Sequence, residues 1–188
     1  MTKIIFIRHG EPDYTFVKSK NYFGHGINMA QLTEEGIQQA EAVSFDKRLD
    51  NAEIIISSPY TRALQTAAII VKNRGLDIKV ELDLHEWLPD LMFQNSTFEE
   101  VKKASELCKQ HKGVRPGDSE IAFENLEDVF KRVKSCLIKY AGYKKIIVVA
   151  HDIVMRQFAY EAKIPFCGIK EIEFDERFEW CGFKELLI

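Results

Sequence analysis

Long apolar runs are missing from this chain. The first apolar stretch, Ile4 to Ile7, stops at Arg8 and is too short for a signal peptide or a membrane span. Charge of one sign is missing too. The 26 Lys and Arg stand against 29 Asp and Glu, a formal net charge of -3, which speaks against nucleic acid or an anionic membrane as partner. Paired cysteines are absent: Cys108, Cys136, Cys167 and Cys181 are widely spaced, with neither a C-x-x-C pair nor a Cys/His cluster of zinc spacing. They are expected to be buried or half-buried thiols of a cytoplasmic protein, serving neither a disulfide nor a metal. The nucleotide-binding signatures G-x-x-x-x-G-K-[ST] and G-x-G-x-x-G do not occur. No repeat, low-complexity tract or Pro/Gly/Ser linker divides the chain, which predicts a single domain over residues 1–188.

What is present is ordinary core material, 46% hydrophobic against 29% charged residues. Lys3 to Ile7, Glu53 to Ser57 and Lys144 to Ala150 are continuous and β-branched, as in strands buried on both faces. Ile78 to Leu82, Glu171 to Phe174 and the stretch from Trp180 are weaker strand candidates. Thr33 predicts a helix N-cap, Ser58-Pro59 a helix with Pro at its first position, and Thr97 with Glu100 a capping box. From Ser119 onward, Leu126, Val129, Phe130, Val133 and Leu137 recur at helical spacing, with Gly142 as the stop. A last helix of about ten residues is expected after Asp152. Alternating strands and helices predict an α/β fold with an open, mostly parallel sheet and helices on both faces.

In such a sheet, ligands bind beyond the carboxyl ends of the strands. After the first strong strand come Arg8 and His9. After the second come Ser57, Ser58 and, one helical turn on, Arg62. After the third comes His151. Four cationic or potentially cationic side chains thus converge beside two expected helix N-termini, which favour anions. Glu86 follows the weaker strand at Ile78, where Trp87 and Leu88 can desolvate it and raise its pKa as a general acid requires. Asp83 and Asp90 are its competitors, Asp90 reading as a turn residue after Pro89. The irregular stretches Glu11 to Gln31 and Leu88 to Gly117 are expected to rim the pocket. They carry Phe16, Tyr22, Phe23, Phe93, Lys18, Lys20 and His25, with Phe93 expected in the core.

Ile7-Arg8-His9-Gly10-Glu11 resembles the signature of the histidine phosphatase superfamily, the group that includes cofactor-dependent phosphoglycerate mutases. Leu32 to Ala40 is similar to that family's L-T-x-x-G-x-x-Q-A helix, and Ser57 to Ala67 to its S-S-P-x-x-R-A-x-Q-T-A block. The resemblance implies a three-layer α/β/α sandwich. It implies that His9 is the nucleophile that becomes phosphorylated, that Arg8, Arg62 and His151 hold the phosphoryl oxygens, and that Glu86 is the proton donor. Thr15 stands where the family pattern has Asn, so a phosphate contact is either lost or taken by its hydroxyl. Asp152 replaces a usual Gly and is expected to cap the following helix.

The chemistry is consistent with that implication. A neutral imidazole is a nucleophile at pH 7, and arginines stabilise the charge of the transferring phosphoryl group without a metal or cofactor. The expected reaction is hydrolysis of a small phosphomonoester. A phosphoglycerate-type mutase is the rival within the fold. A catalytically inactive regulatory domain of the same fold is the rival from another functional class, and the joint presence of His9, Arg8, Arg62, His151 and Glu86 opposes it. The sequence leaves the substrate's identity and the oligomeric state open.

Overall fold

The computed structural model describes residues 1–22, 24–94 and 97–183. In chain order the elements are β1 (Thr2–Arg8), β2 (Pro12–Asp13), α1 (Thr15–Ser19), β3 (Gln31–Leu32), α2 (Glu34–Ser44), β4 (Ile54–Ser57), α3 (Thr61–Arg74), β5 (Ile78–Val80), α4 (Phe98–Gln110), α5 (Leu126–Ile138), β6 (Lys145–Ala150), α6 (Asp152–Arg156) and β7 (Ile169–Phe174). Short 3-10 turns lie at Gly24–Met29, Lys47–Leu49 and Leu82–Leu84. The sheet order is β5-β4-β6-β1-β7; β7 alone runs antiparallel, and β2 pairs with β3 in a separate ribbon.

The three β-branched runs become the three inner strands, β1, β4 and β6. Their side chains alternate between two cores because successive strand residues point to opposite faces. Ile4, Phe6, Ile54, Ile56, Ile146 and Val148 pack against α4, α5 and α6. Ile5, Ile7, Ile55, Ile147 and Val149 pack against α2 and α3. Helices thus cover both faces of a mostly parallel sheet, the expected sandwich. Thr33 accepts from the Gly36 N–H at the head of α2, and Thr97 and Glu100 form the capping box of α4. None of the described helices is long and apolar enough to cross a membrane.

Several boundaries differ from expectation. Helix α3 starts at Thr61, because Tyr60 is its extended N-cap and Pro59 falls outside. Helix α5 starts at Leu126, well after Ser119. The preceding backbone bonds the segment carrying the candidate acid instead: Leu91 N–H donates to the Ala122 carbonyl and Glu124 N–H to the Leu88 carbonyl. Helix α6 has five residues, half the expected length. Beyond it the chain tightens, with Gln157 and Phe158 N–H bonding carbonyls three residues back and the Gln157 amide taking the Ile153 carbonyl. Trp180 to Phe183 forms no strand; the Trp180 indole is held by Gln157, and residues 184–188 lie outside the described residues. Cys181 is exposed, unlike the other three cysteines.

Candidate active site

Strand parity and register bring the two histidines together. Arg8 of β1 pairs with Ala150 of β6, so the next residues, His9 and His151, sit side by side beyond the strand ends. Both continue the face that packs on α3, and their rings lie 5.1 Å apart. The first turn of α3 sends Arg62 between them. Arg62 Nε donates to His9 Nε2 at 3.1 Å, one terminal nitrogen approaches His151 Nδ1 at 3.4 Å, and the other donates to Asn28 Oδ1 at 3.3 Å. His9 Nδ1 donates to its neighbour's carbonyl, Gly10 O, at 2.7 Å, which fixes the tautomer and leaves the Nε2 lone pair facing the site. Burial, reinforced by Arg62, holds the pKa of His9 well below the ordinary imidazole value. His151 is fully buried and is lowered for the same reasons, with His9 adding to the effect. Of the four cationic or potentially cationic groups, then, the two histidines are neutral at pH 7 and the positive charge comes from Arg8 and Arg62.

Arg8 has the opposite parity and points toward α6. Its guanidinium donates to the Ile164 carbonyl, lies 4.3 Å over the Phe166 ring and stands 3.9 Å from Asp152. Burial lowers its pKa, partly offset by Asp152 and Glu86. Asp152 is not the cap of α6. His151 takes that position, and Asp152 is bound to Arg156 at 2.7 Å, so this carboxylate is neutralised from two sides. Thr15 is exposed and its N–H donates to the Asp13 carboxylate.

Glu86 follows the 3-10 turn at Leu82–Leu84. Its two carboxylate oxygens accept from Trp87 N–H at 2.8 Å and from Ile153 N–H, in the first turn of α6, at 3.3 Å. Desolvation raises its pKa, the Trp87 bond opposes the shift and Asp152 adds to it. Asp90 caps the turn that follows, accepting from Met92 and Gln94 N–H, as a turn residue should. Above Arg62 and Glu86 opens a cavity of about 310 Å³. Its lining includes Tyr14, His25, Asn28, Trp87, Phe93 and Phe98. Both irregular stretches thus contribute to the rim. Phe93, expected in the core, is 52% exposed and stacks on His25 at 4.2 Å. Phe16, Tyr22, Lys18 and Lys20 are exposed, and Phe23 lies outside the described residues.

Residues 4–176 match the model of the histidine phosphatase superfamily (branch 1). The chain belongs to this family. It is 29% identical over 152 residues to a protein of Yersinia pestis named probable phosphoglycerate mutase GpmB, covering 79% of this chain and 69% of that one. Among solved structures it is similar in fold to a mycobacterial glucosyl-3-phosphoglycerate phosphatase complexed with VO3, with a TM-score of 0.68, 18% identity and 96% of each chain covered. It is also similar to a phosphoserine phosphatase of Entamoeba histolytica complexed with 3-phosphoglyceric acid, with a TM-score of 0.64, 24% identity and coverage of 91% and 90%.

In this histidine phosphatase superfamily member, the sequence blocks brace one turn. Gly10 and Gly36 lie backbone to backbone: a Cβ on Gly10 would meet the Gly36 carbonyl, and one on Gly36 the Glu11 carbonyl. Gln39 of α2 accepts from Glu11 N–H, Thr33 donates to the Glu11 carboxylate, and Thr66 of α3 accepts from Gly10 N–H. The loop carrying His9 is therefore held by two helices at once. Other contributors have no role assigned to them by the sequence. Ser58 Oγ bonds His151 Nε2 at 2.7 Å, which can select the imidazole tautomer. Asn28 bonds Arg62, and Phe166 packs on both Arg8 and His9. Arg132 of α5 donates to the carbonyls of Asp83, His85 and Glu86 and pairs with Glu124 at 2.7 Å. Glu124 in turn accepts from Leu88 N–H. The acid's loop is thus clamped from α5. The only sequence signal for this clamp is one Arg in the helical pattern, eight positions after Glu124.

Proposed function

We propose that the protein is a metal-independent phosphatase that hydrolyses a small phosphomonoester through a phosphohistidine on His9. The observation that carries this reading is the oriented His9: its Nδ1 is committed to the Gly10 carbonyl, and its unprotonated Nε2 faces the site and accepts from Arg62 Nε. An incoming phosphoryl group takes over the Arg62 N–H groups, with Arg8 and an N–H of His151 completing the cradle. His9 Nε2 attacks phosphorus and the ester P–O bond breaks. The departing alkoxide takes the proton of Glu86, which the raised pKa keeps available. Water then attacks the phosphohistidine, its proton goes to the Glu86 carboxylate and the P–N bond breaks. The sum is ester and water giving alcohol and phosphate.

The likeness to the protein named probable phosphoglycerate mutase favours a second reading, in which the phosphoryl group returns to the substrate instead of reaching water. One experiment separates the two. The protein is incubated with a phosphomonoester in EDTA, quenched without acid, and digested for mass spectrometry, while free phosphate is followed in parallel. The phosphatase reading expects phosphate on the Arg8-His9-Gly10 peptide, steady phosphate release, inhibition by vanadate, and loss of both label and turnover in His9→Ala. Turnover that persists in His9→Ala, or that needs an added divalent metal, overturns it.

A further inference from the structure

The cavity above the candidate site is built for a particular kind of alcohol. Among the described residues that line it, Arg62 is the only Lys or Arg, and on the phosphatase reading the phosphate takes it. The other charged groups that line it are carboxylates, Glu86 and Asp90, and Asp90 is 6% exposed. Lys18 sits over the Phe98 ring at 4.2 Å and is not among the described lining residues. The rest of the wall is mostly apolar or aromatic. Phe98 is braced edge-on by Tyr14 at 5.9 Å, and Phe93 by His25 at 4.2 Å. Trp87 is held by its indole N–H on the Glu124 carbonyl, and Val101 faces in from α4. An apolar cavity of about 150 Å³ is enough to bind benzene, and this one measures about 310 Å³.

We infer that the site takes phosphomonoesters whose alcohol carries an aromatic or similarly bulky apolar group, and discriminates against those that carry a second negative charge. This inference rests on the phosphatase reading above. A carboxylate on the substrate would leave water for a cavity whose described lining offers it no Lys or Arg besides the Arg62 that phosphate takes, and includes Asp90, which is unfavourable. An aryl group instead meets ring faces and edges that are already fixed in place, so little ordering is needed on binding. 3-Phosphoglycerate, the phosphate ester of a small polar alcohol that carries a free carboxylate, is on this geometry a poor substrate.

The test uses the full chain and substrates that all leave as alkoxides: 2-phenylethyl phosphate, benzyl phosphate, ethyl phosphate and 3-phosphoglycerate. The expected kcat/KM for 2-phenylethyl phosphate exceeds that for ethyl phosphate at least about a hundredfold, since one methylene in an apolar pocket is already worth about tenfold or more. The value for 3-phosphoglycerate should fall at or below that for ethyl phosphate. In Phe98→Ala the phenylethyl-to-ethyl ratio should drop about tenfold; being a ratio, it does not depend on the fraction of folded enzyme. Phosphohistidine formation with equal rates for all four, a preference for 3-phosphoglycerate, or an unmoved ratio in Phe98→Ala overturns the inference and leaves the phosphatase reading standing. No phosphohistidine and no turnover with any of the four overturns both.

Discussion

Replacing Glu86 by Gln separates chemistry from stability at a single position. The wild-type carboxylate accepts from Trp87 N–H at 2.8 Å and from Ile153 N–H at 3.3 Å. A Gln keeps an oxygen for the shorter bond and turns its NH2 toward the longer one, losing one hydrogen bond worth roughly 0.5–1.5 kcal/mol. It also loses the proton. For an alkyl phosphate the loss in kcat/KM should be about a hundredfold to ten-thousandfold, or about 3–5 kcal/mol of barrier. An aryl phosphate, whose phenolate leaves unaided, should lose less than about tenfold in the first step. The pH dependence has a definite sign. The first step needs protonated Glu86, so wild-type kcat/KM for the alkyl ester falls as pH rises through the raised pKa, and Glu86→Gln loses that limb. Stability moves the other way. The folded protein holds this proton more tightly than the unfolded chain, so burying the carboxylate is unfavourable above the folded pKa and costs nothing below the unfolded one. Relative to wild type, Glu86→Gln should therefore gain thermal stability at pH 8, and the gain should disappear toward pH 4. Steady-state kinetics with the two esters and melting curves across pH supply the data. Equal losses on both esters, together with a Tm difference that ignores pH, would refute the reasoning.

Arg132→Met should act on the same loop from a distance. It leaves Glu124, whose side chain is 7% exposed, without its charge partner. Removing one member of a buried pair costs roughly 3–5 kcal/mol, or a Tm drop of roughly 6–20 °C for a chain of this size. The loss on alkyl esters should exceed that on aryl esters, because the clamp holds the acid's loop; an unchanged Tm would show the pair to be slack. The depressed pKa of both site histidines predicts that His9 and His151 stay neutral at pH 6. Nitrogen NMR of the imidazoles at that pH should show two neutral rings, and protonated signals from either would contradict the assigned electrostatics.

Much of this architecture can be read in the sequence because its signals are local. The runs at Ile4, Ile54 and Ile146 can only be strands buried on both faces, and parallel pairing then aligns their ends, so His9, Arg62 and His151 had to be neighbours. The rest depends on contacts between segments with no periodic signal. Glu124 leaves the helical pattern to bond the loop at Leu88, which is why α5 starts late. The acid's clamp needs Arg132 to reach back to Asp83, and nothing in the local sequence marks that reach. Phe93 looks like core material by composition, yet it sits at the cavity mouth with a positive φ of 55°. The neutral imidazole that the chemistry calls for agrees with the lowered pKa of both histidines, but its cause, desolvation, is not visible in a sequence.

The placement of β1 has a consequence during synthesis. Its two sheet neighbours are β6 and β7, and its first parallel pairing joins Lys3 to Lys145. At about 5–20 residues per second, a ribosome needs roughly 7–30 s to deliver that partner. Throughout that interval Ile4, Ile5, Phe6 and Ile7, each 0% exposed in the finished protein, have no native strand beside them. An unpaired apolar strand of this kind is a template for aggregation. The histidine at its end meets Arg62 in a fixed geometry and faces His151 only when the sheet closes, so a nascent chain carries the proposed nucleophile for most of its synthesis without the means to use it.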